Sequence, residues 1–260
     1  VQAGKGFLEV GGQRLEYSYW SGQTADAPTL MLLHEGLGCV AMWRDFPAAL
    51  NATTGLAVFA WSRAGYGGSD PARLPRPLSY MHDEARDVMP VVLDAAGFSS
   101  VIVIGHSDGA SIAAIHAGMT QDARLKGLVL IAPHFFVEDI SIRSIAAARV
   151  AYTEGDLRDR LKRYHGENTD CAFRGWNDAW QDNGFLAWDI REYLPRICVP
   201  VLGLQGRDDP YGTLKQIDAL CELVPGRVER MVLEDCGHSP HREQPEASVT
   251  VISEFIAKIG

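Results

Sequence analysis

A hydroxyl becomes a useful nucleophile only when a base takes its proton, and that base needs a third group to hold its ring in the productive tautomer. The sequence carries candidates for all three. Ser107 lies in Gly105-His106-Ser107-Asp108-Gly109, between the apolar run Val101–Ile104 and a helical pattern over Ala110–Met119. A sharp strand-to-helix turn would display this serine in a strained conformation and leave no room for side chains two positions either side, where both residues are glycine. Downstream, the apolar stretch from Val201 ends in Gly206-Arg207-Asp208-Asp209, and a second one from Arg230 leads into a turn holding His238. Serine, acid and histidine each follow a strand-like run, an arrangement suited to acyl transfer through a covalent intermediate. Either Asp208 or Asp209 could supply the acid.

Neighbouring polar residues have simpler readings. Asp108 opens a helix, where a carboxylate complements the positive end of the macrodipole. His34 and His106 read as packed residues behind the site. His241 stands near His238, but no spacing of Cys, Asp or Glu completes a metal site, so it reads as a surface or pocket-rim histidine and no metal is expected. No phosphate-cradling loop or flavin signature occurs, and no cofactor is implied.

The elements that must position these residues follow from hydrophobic patterning. Thr29–Leu33, Leu56–Trp61, Val101–Ile104, Leu128–Ile131 and Val199–Leu204 are continuous apolar runs, which predict strands buried on both faces of a mostly parallel sheet. Helical patterns over Asp83–Ala96 and Ala110–Met119 intervene, predicting an α/β fold with helices on both sides. Phe7–Val10 and Arg14–Trp20 alternate around Gly11-Gly12 and predict a β-hairpin. From about Pro245, the apolar residues Val249, Ile252, Phe255 and Ile256 mark one face of a last helix. Between Pro133 and Pro195 no strand-like run occurs, while amphipathic patterns and Trp176, Trp180, Phe185 and Trp188 accumulate. That stretch is too long for a loop and predicts a helical subdomain. The expected organisation is a core of residues 1–133 and 196–260 with a cap over residues 134–195. The aromatics of the cap either form its own small core or line a substrate pocket.

Composition narrows the partners. With 260 residues, 47% hydrophobic and 22% charged, the chain can bury one continuous core. A net charge of −9 disfavours any grip on nucleic-acid phosphates or anionic membranes. No apolar run reaches the length of a membrane span. Five cysteines without a C-x-x-C pair signal neither a disulfide framework nor a zinc site and fit a reducing cytoplasm. Because the chain begins at Val1, a removed leader remains open.

With these motifs in view, the sequence resembles the α/β-hydrolase superfamily over nearly its whole length. Ser, then acid, then His is that superfamily's order. Trp61-Ser-Arg-Ala-Gly-Tyr-Gly-Gly-Ser69 resembles its D-x-R-G-x-G-x-S segment, with Ser62 and Ala64 as departures, and His34-Glu-Gly-Leu-Gly38 resembles its H-G-x-x-G oxyanion loop. The resemblance implies an α/β-hydrolase fold with a helical cap insertion, and it selects Asp209 over Asp208 as the last residue of a G-x-x-D turn. It also implies oxyanion donors from the N–H groups of Gly36 and Asp108. Glu35 departs from the usual glycine, and a carboxylate there would oppose a developing oxyanion unless it turns away. A pocket-facing Glu35 that reads a polar substrate group is the other expectation. Glu35, Leu37, Trp176, Trp180 and Trp188 are the candidate pocket residues, for a small-molecule substrate with an apolar acyl or aromatic part. The chemistry so implied is carboxylic ester hydrolysis, extending to thioesters and lactones. Carbon–carbon bond hydrolysis of ring-cleavage products, or a hydrolase-like ligand receptor, are the alternatives.

Overall fold

The computed structural model describes residues 1–259. Eight strands form one sheet in the order β1-β2-β4-β3-β5-β6-β7-β8. β1 (Gly4–Val10) and β2 (Gln13–Trp20) make the amino-terminal hairpin, and β2 pairs antiparallel with β4 (Val58–Trp61). The remaining pairings are parallel and join β3 (Thr29–Leu33), β4, β5 (Val101–His106), β6 (Leu125–Ile131), β7 (Val201–Gly206) and β8 (Val228–Leu233).

Strand periodicity divides the core into two layers. Leu30, Leu32, Val58, Ala60, Ile102, Ile104, Leu202 and Leu204 face one side, packing with helices α1 (Phe46–Thr54) and, at the chain's end, Pro245–Ala257. Met31, Leu33, Phe59, Trp61, Val103 and Leu130 face the other. That side is covered by α2 (Tyr80–Asp83), α3 (Met89–Ala96) and α4 (Asp108–Thr120). The predicted helix over Asp83–Ala96 is broken in its regularity: Glu84–Val88 winds as a π-helix between α2 and α3. The edge strands β1 and β8 keep partly exposed faces, whereas β3, β4, β5 and β7 are buried throughout and β6 is buried from Gly127 onward, so their apolar runs have no polar alternation.

Between β6 and β7 the chain forms α5 (Asp139–Thr153), α6 (Leu157–His165) and α7 (Thr169–Trp180), and a single bridge from Phe136 to Asp189 draws its two ends together. After β7 come α8 (Lys215–Leu223), α9 (Pro240–Glu243) and α10 (Pro245–Ala257). Among the described residues no helix is long and apolar enough to cross a membrane. Because β3, β5, β6, β7 and β8 run parallel, the loops that follow them emerge at one edge of the sheet, where the candidate chemistry collects.

Candidate active site

Ser107 occupies the turn between β5 and α4 with φ 52° and ψ −117°, a left-handed conformation that is costly for a residue with a side chain. Its N–H is tied to the Ile131 carbonyl of the neighbouring strand at 2.9 Å, which holds the turn. The flanking glycines are a steric necessity. A Cβ on Gly105 would stand 2.4 Å from the Gly109 carbonyl oxygen, and one on Gly109 would stand 2.1 Å from that of Leu33. Helix α4 therefore starts directly behind the serine, and no acceptor among the described residues engages the N–H of Asp108 or of Gly36.

His238 arrives on the turn after β8, Asp209 on the turn after β7. Nδ1 of His238 lies 2.9 and 2.8 Å from the two carboxylate oxygens of Asp209. A carboxylate only accepts, so Nδ1 carries a ring proton, and in the neutral ring Nε2 keeps its lone pair. Asp209 is buried and also accepts from Gln205 Nε2 and the Tyr211 N–H, each at 2.8 Å. Burial by itself would raise the Asp209 carboxyl, but the charge and hydrogen bond of His238, with the Tyr211 N–H, outweigh it and hold the group below its ordinary value. Asp208 is exposed, and its backbone N–H is bonded to the Cys236 carbonyl. Ser107 and His238 line the same cavity, although no hydrogen bond joins them among the described residues; such bonds are commonly long before substrate binds.

The loop His34–Gly38 is held from three sides. His34 donates from Nδ1 to the Glu35 carbonyl at 2.7 Å and accepts the Arg63 N–H on Nε2 at 3.1 Å. The buried Arg63 guanidinium donates to the carbonyls of His34 and Glu35 at 2.8 and 3.1 Å. From the helical insertion, His165 donates to the Leu37 carbonyl at 3.0 Å. With its carbonyls pinned, the loop turns Gly36 into the cavity. Neither Arg63 nor His165 stands out in the sequence. Arg63 sits in a recognised segment, but only the fold brings its guanidinium under the loop.

Glu35 lines the cavity and also turns back: Oε2 lies 3.4 Å from His106 Nδ1 and crowds Gly38, where a Cβ would stand 2.3 Å away. Burial would raise this carboxyl, yet the hydrogen bond to His106 and the electrostatics of the His106, His241 and His34 rings around it drive it far below the usual carboxylate range. Glu35 is therefore an anion beside the site. His106 in turn donates from Nε2 to the His238 carbonyl at 2.8 Å, linking Glu35 to the histidine turn.

The cavity has a volume of about 190 Å³. Leu37, Ile145, Trp176, Trp180 and Tyr211 are its apolar walls. Trp188, expected with them, is absent from the lining: it stacks against Phe185 at 5.3 Å and tilts against Trp180 at 5.8 Å. His134, which sequence reasoning missed, lines the cavity from the loop after β6, and burial, then the charge of His238, lower it to about 3. It stands as a neutral ring. Asp108 is more than a helix-opening acid: it is fully buried, accepts from Tyr80 Oη at 2.5 Å, and burial pushes its carboxyl up despite Arg63 and the Tyr80 bond. His241 corrects the expectation of a surface histidine. Only 3% exposed, it packs on Trp43 and His106 with ring centroids 4.9 and 4.7 Å apart, because α9 folds beneath the His238 turn. Among the described residues no group of three His, Cys, Asp or Glu side chains is arranged to hold a metal ion.

Comparison with known proteins agrees with this geometry. The sequence pattern of the alpha/beta hydrolase family matches residues 30–251, a span running from β3 to the last helix. The chain belongs to the α/β hydrolase family. Among curated relatives it is 26% identical over 260 residues to RutD of Pseudomonas savastanoi pv. phaseolicola (strain 1448A / Race 6), a carbamate hydrolase by name, covering 90% of this chain and 95% of that protein. Among solved structures, the enol-lactonase from Burkholderia xenovorans LB400 superposes with a TM-score of 0.75 at 21% identity, covering 97% of this chain and 100% of that one. The meta-cleavage product hydrolase CumD from Pseudomonas fluorescens IP01 gives 0.76 at 19% identity, covering 98% of each. At these identities the two structures speak to the shared fold of this α/β hydrolase.

Proposed function

We propose that the chain is a serine hydrolase that cleaves small carboxylic esters or lactones through an acyl-enzyme on Ser107. The observation that carries this reading is the His238 ring, fixed by Asp209 with its Nε2 lone pair left free, on the cavity into which the strained turn presents Ser107. Nε2 takes the serine proton as Oγ bonds to the acyl carbon, and the carbonyl oxygen becomes an oxyanion received by the N–H groups of Gly36 and Asp108. The ring then returns the proton to the departing alkoxide as the ester bond breaks. Water attacks the acyl-enzyme with His238 again taking a proton, and Ser107 leaves as a hydroxyl with the free acid as product. Asp209 keeps the ring oriented and stabilises its charged form.

The cavity supports a short substrate. About 190 Å³ is below the several hundred Å³ that house drug-sized ligands, and its walls are mostly apolar. The ionised Glu35 disfavours an anionic acyl group, so esters of short, uncharged acyl groups are the expected class. Residues 134–195 act as the cap, contributing Ile145, Trp176 and Trp180 to the walls.

Rates on p-nitrophenyl esters from acetate to decanoate, set beside a vinylogous diketone, test the reading. Preference for the shortest esters, with a fluorophosphonate label on Ser107 and loss of both in Ser107→Ala, is expected. Cleavage of the diketone without ester turnover would move the assignment to carbon–carbon hydrolysis. Retention of wild-type rate by the alanine variant would overturn the mechanism altogether.

A further inference from the structure

A second cavity, of about 420 Å³, opens where the helical insertion meets the core, and the side chains of Arg44, Arg160, Arg163 and Arg242 line it with no carboxylate among its lining residues. In a chain of net charge −9 this is an unusual concentration of positive charge. Most of the other arginines are matched to acids, as Arg124 is to Asp122 and Arg158 to Asp170, and those that are not, such as Arg73, Arg143 and Arg196, do not line this cavity. Here Arg44, Arg163 and Arg242 make no ion pair among the described residues, and Arg160 has only an exposed partner, Asp156, at 3.5 Å. Like charges brought together without counter-charges repel, so an arrangement of this kind is stabilised by an anion.

The four guanidinium groups come from three separate places. Arg160 and Arg163 lie on α6 of the insertion, Arg242 on α9 just past His238, and Arg44 on the turn after Val40–Trp43. Arg44 is held there at φ 53°, where glycine would be relaxed and an arginine is not. The floor is different in character: Met42, Leu157, Leu161 and Tyr164 offer apolar surface beside the charges.

We propose that this cavity binds a phosphoryl group, its oxygens gripped in the fork geometry that guanidinium groups offer to phosphate. The apolar floor suits the organic part of a phosphate ester or anhydride, and the bound anion would tie α6 of the insertion to the turn that follows the catalytic histidine. The site is independent of the chemistry assigned to Ser107.

Isothermal titration with inorganic pyrophosphate and with adenosine 5′-diphosphate, at constant ionic strength to remove general screening, tests the proposal. Saturable binding by the whole chain is expected, weakened about tenfold or more per guanidinium removed in Arg163→Gln and in the double variant Arg163→Gln/Arg242→Gln. Turnover of a neutral ester should be unchanged in both variants, and Ser107→Ala should bind like the parent. Tighter binding of the nucleotide assigns the site to an organic phosphate; equal or tighter binding of pyrophosphate assigns it to the free inorganic anion. Absence of saturable binding in the parent, or equal affinity in the double variant, overturns the proposal.

Discussion

Replacing Gly36 by alanine is a demanding test of the oxyanion assignment. A Cβ at that position would stand 2.1 Å from Cδ1 and 2.3 Å from Nε1 of Trp176. Carbon atoms settle about 3.5–4.0 Å apart, so the two groups must separate by roughly 1.5 Å. Trp176 is 6% exposed and set edge-on against Phe173, which leaves the indole little room to swing. The loop must therefore recede and carry the Gly36 N–H with it. A displacement near 1 Å at a catalytic group costs on the order of 10²-fold, and outright loss of an oxyanion donor costs about 10²–10³-fold in kcat. We expect Gly36→Ala to lower kcat on p-nitrophenyl acetate about 10²-fold. Trp176→Leu should open the space again, so the double variant should regain about tenfold or more in kcat over Gly36→Ala, a coupling that separate effects would not give. Thermal melts on all three variants separate misplacement from unfolding. Wild-type kcat in Gly36→Ala, or a double variant whose loss is simply the product of the two single losses, would refute the assignment.

Asp209→Asn should reduce kcat about 10⁴-fold by spoiling the tautomer of His238, while Asp208→Asn, on the exposed side of the turn, should stay within about twofold; steady-state rates on the same ester decide. Lowered to about 3, His134 is neutral in the fold and takes up a proton on unfolding, so its contribution to stability is complete above the unfolded value near 6.5 and is lost as pH falls from there towards 3. At pH 5 this amounts to about 2 kcal/mol, and denaturant melts of His134→Leu should show a shallower fall between pH 7 and 5 than the parent. Trp188→Ala should lower stability by about 3–5 kcal/mol in denaturant melts and leave the acyl-chain profile alone, whereas Trp176→Ala should shift that profile to longer chains. An unchanged profile in Trp176→Ala would remove that indole from the pocket.

The sheet was legible because β3, β4, β5, β7 and residues 127–131 of β6 are buried on both faces, and full burial erases polar alternation from the sequence itself. The strand-to-helix turn at Ser107 was equally visible, since sterics demand glycine at 105 and 109 and local spacing records it. The π-helical turn over Glu84–Val88 was not, because a single five-residue turn with i→i+5 bonds is too short to set a periodicity of its own between the α-helical stretches that flank it. Trp176, Trp180 and Trp188 were alike as a sequence pattern. Only packing separated the two that line the cavity from the one stacked on Phe185.

By itself, then, the amino-acid order determined what depends on near neighbours: which segments are strands, where the chain must turn tightly, and which residue types follow each strand. What the tertiary structure alone decided is what depends on approach between distant segments. Arg63 reaching the carbonyls of His34 and Glu35, His165 reaching Leu37 across the insertion, and Glu35 drawn down by His106, His241 and His34 are all of this kind. A side chain's charge state and hydrogen bonds are set by what surrounds it at a few ångströms, and in a folded chain those surroundings come mostly from residues remote in sequence.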